Sequence, residues 1–366
     1  MTILLVEKSY MPSTCSRKMS ASKAQVDVDV NEVKLLPASP AVAQAHEAQF
    51  ISEDEVEDID SPVVENVQRI VITDPNALDV DFYHSRIVKI ENLECLTQCE
   101  TLCIRQNLLK KMEGLSTLST VRELDLYDNQ ITAIEDLDGM VNLEQLDLSF
   151  NKISKLTGLE KLLKLKKLFL IHNKISKIEN ISQLTQLEML ELGSNKIRVI
   201  EGITTLTNIT SLFIGKNKIT KLQGMDTLVN LKCLSLQSNR IIKIEGLDKL
   251  ENLEELYLSH NGIEKIEGIE KNVNLTTLDL SSNRVRKLEN LSLLVNLQEF
   301  WFNDNKLDNW EDINALVSLK KLETVYLERN PIYYDPTDAK KMDSSYRRKI
   351  LLTIPWIQQI DATLAR

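Results

Sequence analysis

Long apolar runs are missing from this chain, and with them any expected membrane span, since no stretch approaches the roughly 18 apolar residues that a span needs. The opening Met1–Val6 run is closed by Glu7, too short for a secretory signal, so an intracellular protein is expected. A basic excess is missing too. The formal net charge is −10, and residues 1–66 hold 12 acids against 5 bases. Nucleic-acid binding, which needs a clustered basic face, is therefore not expected. Cysteines are few and odd in number, 5 in all, with no Cys-x-x-Cys pair. Cys95, Cys99 and Cys103 are spaced by fours, which on a helix could hold a metal. The repeat described below turns them different ways, so reduced thiols and no metal site are expected.

Catalytic motifs are also wanting. The chain has no Gly-x-Gly-x-x-Gly, no Walker loop, no His-Glu-x-x-His and no Gly-x-Ser-x-Gly. None of the histidines, His46, His84, His172 and His260, is paired as a base and nucleophile would require. A non-enzymatic chain without catalytic residues or cofactor is the expectation.

What the chain has in abundance is one sentence repeated. Asparagines fall at Asn107, Asn129, Asn151, Asn173, Asn195, Asn217, Asn239, Asn261, Asn283, Asn305 and Asn330, every gap being 22 residues except the last, which is 25. Five places before each sits an apolar residue, from Leu102 through Leu190 to Val325, and three before sits another. Val80-x-Phe82-x-x-Ser85 is a further copy with Ser in the Asn slot. The unit, best seen at Leu187–Ile200, reads Leu-x-x-Leu-x-Leu-x-x-Asn-x-Ile, the phrase of a leucine-rich repeat. Such a unit cannot bury its own apolar face, so neighbours stack and share a core.

The expected fold is an α/β solenoid: an arc of about twelve 22-residue repeats, with a parallel concave sheet and a convex side of short helical or 3-10 turns. Each Asn belongs inside the bend after its strand, satisfying backbone groups that the ladder leaves unpaired. Three regions follow: a disordered acidic tail over 1–72, the solenoid over 73–335 and a cap over 336–366. The return segment Trp310 to Leu322 holds three extra residues and should bulge. Ser345–Ile354 reads as a helix with Tyr346, Ile350, Leu351 and Ile354 on one face, closed by Pro355, whose apolar side covers the last repeat.

Function should lie in the outward strand positions, because packing fixes the inward ones. Four places before each Asn stand Cys103, Asp125, Asp147, Phe169, Glu191, Phe213, Ser235, Tyr257, Asp279, Trp301 and Tyr326, with Glu299 beside Trp301 on the same face. Exposed rings set among acids match the composition of protein-interface hot spots, and the acids call for a partner that presents Lys or Arg.

The phrases Leu124–Ile131, Leu256–Ile263 and Val325–Pro331, with the Asn-Lys-Ile-x-Lys-Ile-Glu wording at Asn173 and the Tyr346-Arg-Arg-Lys cap, resemble the leucine-rich-repeat regulatory subunits of the type-one serine/threonine protein phosphatase. The likeness runs over about residues 76–366. It implies a nuclear and cytoplasmic, non-catalytic subunit, a monomer until it binds the phosphatase catalytic subunit. Its implied roles are in phosphatase maturation, localisation, activity and mitotic exit. The family's contact positions fall on Asp147, Phe169, Glu191, Phe213, Glu299, Trp301 and Tyr326; Tyr257 and Asp279 come from the outward row alone. The tail is dissimilar, Thr337–Ser344 stands as an insertion before the cap, and no Lys/Arg-Val-x-Phe docking peptide occurs. A repeat alone would equally suit a ciliary, cytoskeletal or ribonucleoprotein adaptor.

Overall fold

The structure is a computed structural model that describes residues 68–365; the first 67 residues of the acidic tail lie outside them. Each repeat contributes one three-residue strand: β1 (Asp79–Asp81), β2 (Thr101–Cys103), β3 (Glu123–Asp125), β4 (Gln145–Asp147), β5 (Lys167–Phe169), β6 (Met189–Glu191), β7 (Ser211–Phe213), β8 (Cys233–Ser235), β9 (Glu255–Tyr257), β10 (Thr277–Asp279), β11 (Glu299–Trp301) and β12 (Thr324–Tyr326). They lie side by side in chain order, all parallel, with every repeat in the same register. Alternation along a strand sends the middle residue inward and its two neighbours outward. Leu168, Leu190, Leu212 and their equivalents are accordingly fully buried.

The return segments form tight turns, and the spacing of apolar residues explains why. In one repeat they recur every third place, at Ile197, Ile200, Ile203, Leu206, Ile209 and Leu212, and all are buried. A spacing of three matches a three-residue turn, whereas an α-helix of 3.6 residues per turn would rotate the row out of the core. Leu206 N–H donates to Ile203 O at 3.0 Å and Ile209 N–H to Leu206 O at 3.1 Å. Among the described residues two 3-10 helices stand out here: Trp310–Leu316, which takes up the three extra residues of the longest repeat, and the short Pro331–Tyr333 after the last ladder Asn.

The asparagine row forms a ladder through the molecule. Asn195 Nδ2 donates to Leu170 O (2.8 Å), Leu192 O (3.1 Å) and Gly193 O (3.1 Å), while its Oδ1 accepts from Ile175 N–H (3.0 Å). One side chain thus ties two repeats together where the strands have ended.

Asn272 is a different matter. It occupies a core slot that holds Leu206, Leu228, Leu250 and Leu294 in neighbouring repeats, it is fully buried, and its Oδ1 has no hydrogen-bond partner among the described residues. Its Nδ2 reaches Leu247 O and Leu250 O, carbonyls that already accept from Leu250 and Leu253 N–H. An orphaned buried acceptor costs roughly 1–3 kcal/mol, so Asn272→Leu should stabilise the protein by about 1 kcal/mol or more in denaturant titration. A loss of stability would contradict that reading.

At the far end, the Thr337–Ser344 insertion carries a strand. β13 (Tyr334–Asp335) and β14 (Asp338–Met342) pair as an antiparallel hairpin. Helix α1 (Tyr346–Thr353) follows and buries Tyr346 and Ile350, with Ile354 just beyond it; Leu351 is half-exposed rather than on the covering face. Strands β15 (Gln359–Ile360) and β16 (Thr363–Leu364) then close the sheet, β15 parallel to β12 and β16 antiparallel to β15. Asp361, one residue beyond β15, caps the strand end of the last repeat with its side chain, its Oδ1 accepting from Leu327 and Glu328 N–H at 2.8 and 2.9 Å. Arg347 pins the closing hairpin through Ile360 O and Thr363 Oγ1. The bare end of a solenoid is thereby covered.

Candidate partner-binding face

Register places the outward row in one line. Asp125, Asp147, Phe169, Glu191, Phe213, Ser235, Tyr257, Asp279, Trp301 and Tyr326 are successive cross-strand neighbours, each paired with the next. Glu299 lies two residues before Trp301 in β11 and so shares its face.

The expectation of freely exposed rings needs correction. Phe169 and Phe213 are each only 8% exposed, and Tyr257, Trp301 and Tyr326 are half-buried. Neighbouring rungs stand roughly 4.8 Å apart, so each side chain is flanked on both sides by the next in the row. The three larger rings also pack on each other. Tyr257 and Trp301 meet edge-on at 6.3 Å, and Trp301 and Tyr326 at 6.0 Å. Within that cluster the Trp301 indole N–H is buried and finds no acceptor among the described residues.

The acids divide into two kinds. Asp147 and Asp279 are buried, and each turns a carboxylate oxygen back to its own strand end, accepting from Ser149 N–H (2.8 Å) and from Ser281 N–H (2.9 Å). They therefore shape the turn as well as charging the face. The Glu191 carboxylate, between Phe169 and Phe213, receives neither a hydrogen bond nor an ion pair from the described residues. Burial, and then the charge on Asp147, pushes its carboxyl from 4.5 up to about 7. Asp125 is raised to about 6 for the same two reasons, although Arg105 lies 3.2 Å away.

This has a consequence for stability. The folded state holds a proton on Glu191 more tightly than the unfolded state does. The contribution is therefore complete below the ordinary carboxyl range and is lost as pH rises through about 7. Glu191→Gln should flatten the fall in melting temperature between about pH 5 and pH 8. Equal slopes in variant and parent would remove Glu191 as the cause.

A second aromatic line escaped the sequence reading. Arg105 lies over the Tyr127 ring at 4.4 Å, Tyr127 meets Phe150 at 5.0 Å, and Phe150 stacks on His172 at 4.8 Å. These residues sit one or two places before the ladder Asn, beside Asp125 and Asp147. Phe150 has φ +55, a left-handed conformation that bulky side chains seldom adopt. The signal was available in three successive repeats carrying a ring one or two places before the Asn.

Among the described residues no His/Cys/Asp/Glu group is arranged to hold a metal, and no helix is long and apolar enough to cross a membrane. Cys99 and Cys103 are buried, and Cys95 is exposed. Burial raises the Cys99 thiol to about 11, and raises Cys103 and Cys233 as well.

A stacked parallel ladder with a continuous side-chain face defines a leucine-rich-repeat solenoid, a protein-binding architecture. A leucine-rich-repeat family model (two copies) matches residues 119–161, 141–184, 229–271 and 251–293. Among curated proteins, "Protein phosphatase 1 regulatory subunit 7" of Homo sapiens is 57% identical over 47 residues, 13% of this chain and 11% of that one. "Protein phosphatase 1 regulatory subunit SDS22 homolog" of Caenorhabditis elegans is 50% identical over 48 residues, 13% of each chain. The matched segment thus spans about an eighth of these relatives. Among solved structures, an internalin (inlF) of Listeria monocytogenes superposes with a TM-score of 0.63 at 24% identity, covering 78% of this chain and 87% of that one. A TLR13–ssRNA13 complex gives 0.64 at 22%, covering 78% and 43%. These two share the fold.

Proposed function

We propose that this chain is a non-catalytic regulatory subunit of the type-one serine/threonine protein phosphatase. It binds the catalytic subunit across the strand face and controls that enzyme's maturation, localisation or activity in nucleus and cytoplasm. The observation that carries the reading is the unbroken register row from Asp147 to Tyr326. Its half-buried rings are already ordered, so little side-chain freedom is left to lose on docking. Its acids are desolvated and suit a partner bearing Lys or Arg. The names of the two curated relatives point to the same partner.

The test is direct titration of the purified chain against the purified catalytic subunit. Saturable binding at micromolar concentration or tighter supports the proposal. No binding there, together with recovery of tubulin-linked or RNA-processing proteins from extract, would favour a general repeat adaptor instead.

A further inference from the structure

Two places before the ladder Asn, the repeats from 105 to 328 carry a side chain in every case but two, and those two are adjacent: Gly193 and Gly215. Most other glycines in this fold are demanded by the backbone; Gly262, where an added Cβ would stand 3.3 Å from the Ile242 side chain, is an exception. Gly202 has φ +71, and a Cβ there would stand 2.6 Å from Ile178 O. Neither condition holds at the adjacent pair. Both have ordinary φ, and an added Cβ would meet nothing closer than 3.7 Å at Gly193 or 3.4 Å at Gly215. The solenoid itself would accept a larger residue at both places. A glycine that the backbone does not need loosens the unfolded chain and lowers stability. It is typical of sites where another backbone comes close.

The pair lies beside two successive rungs of the docking row, Glu191 and Phe213. Gly193 follows Glu191 by two residues and Gly215 follows Phe213 by two, on the same side of the sheet. The result is a bare strip of main chain two rungs wide, bounded by the Ile171 methyl on one side and Gln237 on the other. Beside it stands Glu191, which no base among the described residues neutralises.

We propose that Gly193 and Gly215 form a shelf kept bare for a polypeptide segment of the partner, which lies across them in van der Waals contact and presents a Lys or Arg to Glu191. This rests on the phosphatase reading above and specifies how that partner is seated. A phosphate-bearing ligand is disfavoured, because Glu191 and Asp147 charge the same neighbourhood negatively. A cation seated there returns Glu191 to its ordinary ionised form.

The experiment titrates the full chain with the type-one catalytic subunit in three forms: parent, Gly193→Ala with Gly215→Ala, and Gly193→Val with Gly215→Val. Thermal unfolding is followed in parallel. Alanine should hold or raise the melting temperature yet weaken binding, and valine should weaken it by about a hundredfold or more, since each intrudes into a closed contact. Parent-like affinity in the alanine and valine pairs, with the parent binding well, overturns the shelf and leaves the phosphatase reading standing. Failure of the parent to bind removes the reading and the shelf together. Should the valine pair not fold, the alanine pair decides: weaker binding at unreduced melting temperature supports the shelf, and unchanged binding overturns it.

Discussion

Replacing Phe213 and Trp301 together by alanine is expected to weaken binding of the phosphatase catalytic subunit by about a thousandfold, with the fold preserved. Large buried rings at interface centres commonly contribute roughly 2 kcal/mol or more each, and about 4 kcal/mol corresponds to three decades of affinity. Additivity is reasonable here. The two rings are separated by three intervening strands, β8 to β10, or roughly 19 Å at 4.8 Å per rung, beyond the range at which substitutions usually couple. Both side chains lie outside the leucine core, which is packed on the other face of the same strands. Circular dichroism should therefore stay parent-like while calorimetric binding collapses. Parent affinity in the double variant would place the partner elsewhere.

The largest stability effect is expected from the ladder. Asn195→Leu keeps the volume but removes the acceptor for the buried Ile175 N–H and the donors to Leu170, Leu192 and Gly193. Those carbonyls retain other partners: Asn173 at Leu170, Asn217 at Leu192 and His172 N–H at Gly193. The Ile175 amide retains none among the described residues. One orphaned buried donor plus the lost bonds amounts to about 3–5 kcal/mol. Because a solenoid holds each repeat only through its neighbours, a mid-chain defect weakens both halves. Denaturant titration should show the loss, and a change under about 1 kcal/mol would mean that the ladder bonds contribute little.

Much of this molecule could be read from its letters because one rule is applied again and again. A 22-residue period with Leu at fixed offsets names the repeat strands β1 to β12, and the structure places each in chain order and common register. The outward row was legible for the same reason, since a period of two leaves no choice of face. Three things were not legible. The shielding of Phe169 and Phe213 arises between repeats, from the close spacing of parallel rungs, and no single repeat displays it. The turn-forming roles of Asp147 and Asp279 depend on an amide two residues on, which the sequence does not aim. The hairpin over Tyr334–Met342 is a local departure from the period, and periodicity says nothing about what fills a departure.

The central claim is that the strand side, and not the return side, receives the phosphatase. A photoreactive phenylalanine analogue placed at Tyr257, half-buried in the docking row, or at Leu163, 56% exposed on the return side, tests it directly. Irradiation of each with the catalytic subunit should give a cross-linked heterodimer from position 257 and none from position 163. A cross-link from 163 alone would contradict the claim.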